Sequence, residues 1–127
     1  MANVVIIDDD PVSLRITVAL IADVNREWTT MGFDSAPAAF DFLEGSETDP
    51  LFVIMDVFMP GMDAFDLLKN RSKSASSNYP VFLMSADVTR EVAERAAEIP
   101  QIRCVFSKPL NPGSLTYHLL MNGIRIH

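Results

Sequence analysis

The chain has 127 residues, room for one domain with its own core and too little for two. Half of it is apolar and a fifth charged, which excludes a disordered or fibrous protein. The net charge of -7, from 17 acidic and 10 basic residues, argues against direct binding to nucleic acid or an anionic membrane and suits a site that collects cations. Met1-Ala2-Asn3 and the short apolar run after it lack the basic start and long apolar stretch of a secretory signal, and no segment is long enough to span a bilayer. With one cysteine, Cys104, no internal disulfide can form, and a reduced cytoplasmic protein with Cys104 as a small buried apolar residue is expected.

Val4 to Ile7 is an apolar run of strand length, followed by Asp8-Asp9-Asp10. Asp10 can cap a helix from Pro11 to Val24, with Leu14, Val18, Ile21 and Ala22 on its inner face. A weaker strand is placed near Trp28 to Met31. A second helix runs from Ala36 to Leu43, with Phe40 and Leu43 inward, and ends at Glu44-Gly45-Ser46. Leu51 to Met55 is the third strand, closed by Asp56. A third helix covers Asp63 to Asn70 and is followed by a polar loop, Ser72 to Asn78. Val81 to Met84 is the fourth strand. The fourth helix, Val88 to Glu98, turns Val92, Ala96 and Ile99 to the sheet and Arg90, Glu91, Glu94 and Arg95 to water, and Pro100 closes it. Arg103 to Phe106 is the fifth strand. The last helix starts at Asn111-Pro112 and stops at Asn122-Gly123.

Unbroken apolar strands alternating with helices predict an α/β fold with a doubly wound, five-stranded parallel sheet, flavodoxin-like, in the strand order 2-1-3-4-5. A single domain spanning 1–127 is expected, with its core at about 3–121 and a short tail at 122–127 that leaves no room for an output domain within the chain.

In such sheets the ligand site forms beyond the carboxyl ends of the strands. Asp8, Asp9 and Asp10 follow the first strand, Asp56 ends the third, Ser85 the fourth, and Lys108 lies just past the fifth. Clustered carboxylates stay ionised at neutral pH only when a cation joins them. Mg2+ takes oxygen ligands and binds through one or two carboxylates together with a phosphate, so Asp9 and Asp56 are expected as direct ligands and Asp8 as a ligand directly or through water. A carboxylate beside that ion can attack a phosphoryl group, with Lys108 as a point charge and Ser85 as a hydroxyl donor.

Four segments carry a resemblance: Val4-Val5-Ile6-Ile7-Asp8-Asp9-Asp10-Pro11, Met55-Asp56-Val57-Phe58-Met59-Pro60-Gly61-Met62-Asp63, Met84-Ser85-Ala86 and Ser107-Lys108-Pro109. In this order and spacing the chain resembles the CheY-like receiver domains of two-component response regulators over residues 3 to 121. The resemblance implies phosphorylation of Asp56 by a histidine kinase or histidine phosphotransfer protein, with Mg2+, or Mn2+ in its place, held by Asp8, Asp9, Asp56 and the backbone carbonyl of Phe58. It implies that Ser85 and Lys108 bind the phosphoryl group and that the Lys108–Pro109 bond is cis. It also implies a domain that catalyses only its own phosphoryl transfer and dephosphorylation, and an output face on helix four, strand five and helix five through which a homodimer or an output domain could form.

The chain departs from that pattern in two places. Where the family usually has an aromatic switch residue, three before the lysine, stands Val105, and only a shift in the strand would bring Phe106 into its role. Phe58 is bulky and apolar at the approach to the acceptor, and is expected to slow hydrolysis. Two other readings stay open. Asp8-Asp9-Asp10 also resembles the nucleophile motif of haloacid dehalogenase-like phosphatases, with Asp8 as nucleophile, and a pseudo-receiver would bind its partner without phosphorylation. His118, His127 and Trp28 are read as structural.

Overall fold

The computed structural model describes residues 3–71 and 78–126, so all but Asn78 of the loop expected at 72–78, and His127, lie outside the described residues. The elements are β1 Val4–Ile7, α1 Pro11–Val24, β2 Thr30–Phe33, α2 Ala36–Gly45, β3 Phe52–Asp56, β4 Phe58–Met59, β5 Met62–Asp63, α3 Ala64–Arg71, β6 Val81–Ser85, α4 Arg90–Ala97, β7 Ile102–Ser107 and α5 Pro112–Met121. Five strands form one parallel sheet in the order β2-β1-β3-β6-β7, which is the expected 2-1-3-4-5 once the hairpin β4–β5 is left out of the count.

Every residue of β1, β3 and β6 is buried, because helices cover both faces of the sheet. Alternation then divides their side chains between two cores. Val5, Ile7, Val53, Met55 and Leu83 pack with Phe40 of α2, Phe65 and Leu68 of α3, and Val92 and Ala96 of α4. Val4, Ile6, Phe52, Ile54, Phe82 and Met84 pack on the other side with Ile21 of α1 and Leu115 and Leu119 of α5. Along this second face the rings of Trp28, Phe52, Phe82 and Phe106 follow one another at centroid spacings of 5.5, 5.8 and 5.9 Å.

The expected caps form. Asp10 accepts from the N–H groups of Val12 and Ser13 at the head of α1, and Asn111 accepts from Ser114 at the head of α5. Helix α4 starts two residues later than expected, at Arg90, because Thr89 accepts from the Val92 N–H and caps it there.

Four expectations need correction. The second strand lies at Thr30–Phe33, two residues late, and Trp28 instead packs edge-on against Phe52 from the preceding loop. Ala22 faces solvent, and Thr17 takes a buried place on α1 because its hydroxyl donates to the Ser13 carbonyl and leaves no unpaired polar group. Arg95 turns sideways off α4 to pair with Asp63. Cys104 is half-buried rather than buried. The segment after α5 is also packed: Gly123 takes a positive φ of 77°, Ile124 and Ile126 are buried, and the Asn25 side chain at the end of α1 donates to the Ile126 carbonyl at 2.7 Å.

Strand β7 contains a register shift. Val81 opposes Ile102 and Phe82 opposes Cys104, so Arg103 is an extra residue. Beyond it the alternation resumes, sending Val105 toward α4 and Phe106 toward α5, where the Phe106 ring meets His118 edge-on at 5.5 Å.

Candidate functional site

Parallel strands all deliver their carboxyl ends to one rim, and β1, β3, β6 and β7 bring there Asp8, Asp56, Ser85 and Lys108. Asp8 and Ser85 are completely buried and Asp56 nearly so, whereas Asp9 is exposed. Carboxylate oxygens of Asp8, Asp9 and Asp56 lie within 4.8 Å of one another, a cluster of hard oxygen donors that could hold a metal ion. Asp10 stands apart from the cluster as the cap of α1.

Lys108 reaches back from the end of β7 and its ammonium donates to Asp56 Oδ2 at 2.7 Å and to Asp8 Oδ2 at 2.9 Å. The remaining oxygens are held by main chain: Asp8 Oδ1 accepts from the Asp10 N–H and Asp56 Oδ1 from the Phe58 N–H, each at 3.0 Å. The two carboxylates respond in opposite directions. Burial raises the Asp8 carboxyl, but hydrogen bonds from Ser13, Lys108 and the Asp10 N–H outweigh it, so Asp8 titrates below the usual carboxylate value. At Asp56 burial prevails over the bonds from Lys108 and Phe58, with the Asp8 charge adding to it, and the carboxyl is pushed up. Burial disfavours the Lys108 ammonium, yet bonds to Asp56 and Asp8 more than compensate and raise its pKa. One ammonium between two carboxylates leaves a net negative charge, met in full only when a further cation enters.

The Ser85 hydroxyl is engaged elsewhere. It donates to the Asp87 carbonyl at 2.9 Å and accepts from the Asp87 N–H at 3.1 Å, closing the loop that leads to α4. The Lys108–Pro109 bond is cis, and the Lys108 N–H donates to the Ser85 carbonyl, tying the ends of β6 and β7 together. The Phe58 side chain is 62% exposed beside the acceptor, and its main chain opens the hairpin β4–β5, turned at Pro60-Gly61 with Gly61 at φ 73°. That hairpin and its partner Arg95 are the parts of the site that sequence reasoning missed. The Pro-Gly pair signalled a turn, but nothing in α4 signalled that Arg95 would reach it.

A doubly wound parallel sheet with an acidic, cation-competent rim and a half-buried lysine that bridges two of its carboxylates defines the class. A family model for the response regulator receiver domain matches residues 4–120, and the chain belongs to that family. Chemotaxis protein CheY-3 of Vibrio cholerae is 33% identical over 97 residues, which cover 76% of this chain and 72% of that protein. The two-component response regulator ORR26 of Oryza sativa is 37% identical over 85 residues, 67% of this chain but 14% of the rice protein. The transcriptional regulatory protein FixJ of Bradyrhizobium diazoefficiens is 31% identical over 114 residues, 90% of this chain and 53% of that protein. The chain thus spans only part of the length of several of these relatives. Among solved structures, the bacteriophytochrome response regulator AtBRR shares the fold with a TM-score of 0.83 at 16% identity, over 98% of this chain and 94% of that one. A two-component response regulator from Cytophaga hutchinsonii does so at 0.82 and 21%, over 93% of each.

This is a receiver domain of two-component response regulators, a signalling domain rather than a conventional enzyme. The phosphatase reading with Asp8 as nucleophile gives way to it. Among the described residues no helix is long and apolar enough to cross a membrane.

Proposed function

We propose that the domain accepts a phosphoryl group on Asp56 from a histidine kinase or a histidine phosphotransfer protein in the cytoplasm, with Mg2+, or Mn2+ in its place, held by Asp8, Asp9, Asp56 and the Phe58 carbonyl. The carrying observation is the cluster of three carboxylates within 4.8 Å, two of them bridged by Lys108. The donor set fits a hard divalent cation, with oxygens and no sulfur or imidazole. Bound Mg2+ would neutralise the clustered charge and that of the transferring phosphoryl group.

The chain's own residues supply the rest. A carboxylate oxygen of Asp56 forms the new bond to phosphorus as the donor's phosphorus–nitrogen bond breaks, its electron pair staying on the donor imidazole. Lys108 keeps Asp8 and moves its bond from the Asp56 carboxylate to a phosphoryl oxygen. Ser85 gives up its bonds to Asp87 and turns its hydroxyl to the same group, which alters the loop leading into α4. The output face is that of α4, β7 and α5, for a second copy or an output domain. Supporting it, Pro112–Met121 contains no Asp, Glu, Lys or Arg, and Tyr117, Leu120 and Met121 on α5 are exposed.

Incubation with acetyl phosphate and Mg2+ tests the acceptor by intact mass. The wild type is expected to gain one phosphoryl mass and Asp56→Asn none; a wild type that gains none is a module that binds without phosphorylation. A second expectation concerns lifetime. Phe58→Asn exchanges an apolar side chain at the approach to the acyl phosphate for one that can orient water, and is expected to shorten the phosphate's half-life by about three-fold, a barrier change under 1 kcal/mol. An unchanged half-life would show that the Phe58 side chain does not control access.

A further inference from the structure

Position 105 lacks the aromatic side chain that would lie between the rim and α4, and a hollow of about 290 Å³ lined by Val88, Ala93, Ala97, Ile102, Cys104 and Val105 lies between α4 and β7. Small side chains there offer α4 little that could register a change at the rim. A different chain of contacts reaches it. Asp56 Oδ1 accepts from the Phe58 N–H at 3.0 Å. Phe58 stands directly opposite Asp63 in the hairpin β4–β5. Asp63 Oδ2 accepts from Arg95 of α4 at 2.9 Å, while its Oδ1 caps α3 through the N–H groups of Phe65 and Asp66. The Arg95 guanidinium also lies over the Phe65 ring, 4.4 Å from its centroid, so its plane is fixed from below by a buried side chain.

We propose that Arg95 is a positioning residue that couples α4 to the acceptor through Asp63 and the Phe58 main chain, in place of an aromatic switch on β7. The proposal rests on Asp56 and the Phe58 carbonyl forming the phosphoryl and metal site. Loading that site draws on Asp56 Oδ1 and on both polar groups of the Phe58 main chain. The hairpin is only two residue pairs long, so a shift of Phe58 is passed to Asp63 directly across it. Arg95 then either follows Asp63 or lets go of it, and the hollow beside Val105 gives α4 room to move. The link is reciprocal: whatever holds α4 also holds Phe58 in place to receive the metal. Asp66 Oδ1, at 3.9 Å from the guanidinium, and Glu91 are the other acidic groups facing Arg95, and Asp66 is its nearest alternative partner.

The experiment follows backbone amide shifts of 90–97 on loading with Mg2+ and acetyl phosphate, compared at equal phosphoryl occupancy by mass. Asp63→Asn keeps an oxygen for the α3 cap while removing the charge, and Arg95→Gln removes the cation. Because the pair is partly exposed, each change is expected to reduce the α4 shifts by about two- to five-fold. The double variant should lose no more than either single one, and Arg95→Lys should recover part of the response. Full-sized α4 shifts in both single variants would overturn the coupling, as would a loaded wild type whose α4 amides do not move. Mg2+ affinity, read from the Asp9 and Phe58 amides, separates the two layers. A wild type that binds Mg2+ but takes no phosphoryl group removes the acceptor assignment only. Positioning by Arg95 then stands if Arg95→Gln weakens Mg2+ binding by about two-fold or more and falls if it does not.

Discussion

In Mg2+-free buffer at neutral pH, Lys108→Met is expected to lose about 3 kcal/mol of unfolding free energy, and to regain a large part of it when Mg2+ is added. Methionine keeps the length and apolar stem of the lysine but removes the charge that bridges Asp8 and Asp56. Breaking a buried pair by deleting one partner costs about 3–5 kcal/mol because the other charge is left without compensation, and exposed Asp9 admits water on one side, which favours the lower end. The lysine's raised pKa means its contribution is complete below pH 10.5 and is lost only as pH rises through the higher folded value. Asp8, held low, adds stability above its ordinary value of 3.8 that disappears as pH falls through the folded one. Urea unfolding with and without Mg2+ measures the effect. A loss below about 1 kcal/mol, equal in both buffers, would show that the bridge contributes no more than a surface ion pair.

Mg2+ should raise the stability of the wild type by about 2.7 kcal/mol at a hundred-fold excess over its Kd, and raise that of Asp56→Asn far less. Without metal the order reverses, and Asp56→Asn is the more stable protein at neutral pH. The sign follows from the raised pKa: the folded state holds the Asp56 proton more tightly than the unfolded chain, so ionised Asp56 opposes folding above its folded pKa, and the penalty vanishes in acid. An amide removes that buried charge and still offers an oxygen to the Phe58 N–H. Thermal unfolding across pH, with and without Mg2+, reads both effects. Equal Mg2+ responses in the two proteins would place the metal away from Asp56.

The strands that sequence alone located well are the central ones. Burial on both faces makes β1, β3 and β6 continuous apolar runs, and a polar residue at the end of each marks the rim. Edge strand β2 carries exposed Met31 and Gly32 between half-buried Thr30 and Phe33, so it has no such run, and the need for a strand before α2 places it only roughly, two residues early. Asp8, Asp56, Ser85 and Lys108 were legible because each directly follows or ends a strand, and topology carries strand ends to a common place. Arg95 was not. Helical periodicity sorts side chains into inward and outward, and Arg95 does neither: it extends along the surface to a carboxylate 32 residues away in sequence. Periodicity also placed Ala22 inside and missed Thr17, whose hydroxyl finds its partner one turn back on its own helix. Ile124 and Ile126 read as a trailing end because their partners are distant in sequence: Ile124 joins the core shared with Ile21 of α1, and the Ile126 carbonyl accepts from Asn25, about a hundred residues earlier.

The extra residue in β7 separates two numbering systems within one strand. Counting toward Lys108, side chains are assigned to α4 or α5 by their distance from the rim; counting back toward Ile102, they are assigned by the floor of the core. Arg103 is where the two counts are reconciled. The strand's length can therefore change by one residue at that point while its phase at the rim is kept. A chain one residue shorter there could still present valine to α4 and phenylalanine to α5, with the lysine ammonium between the same two carboxylates.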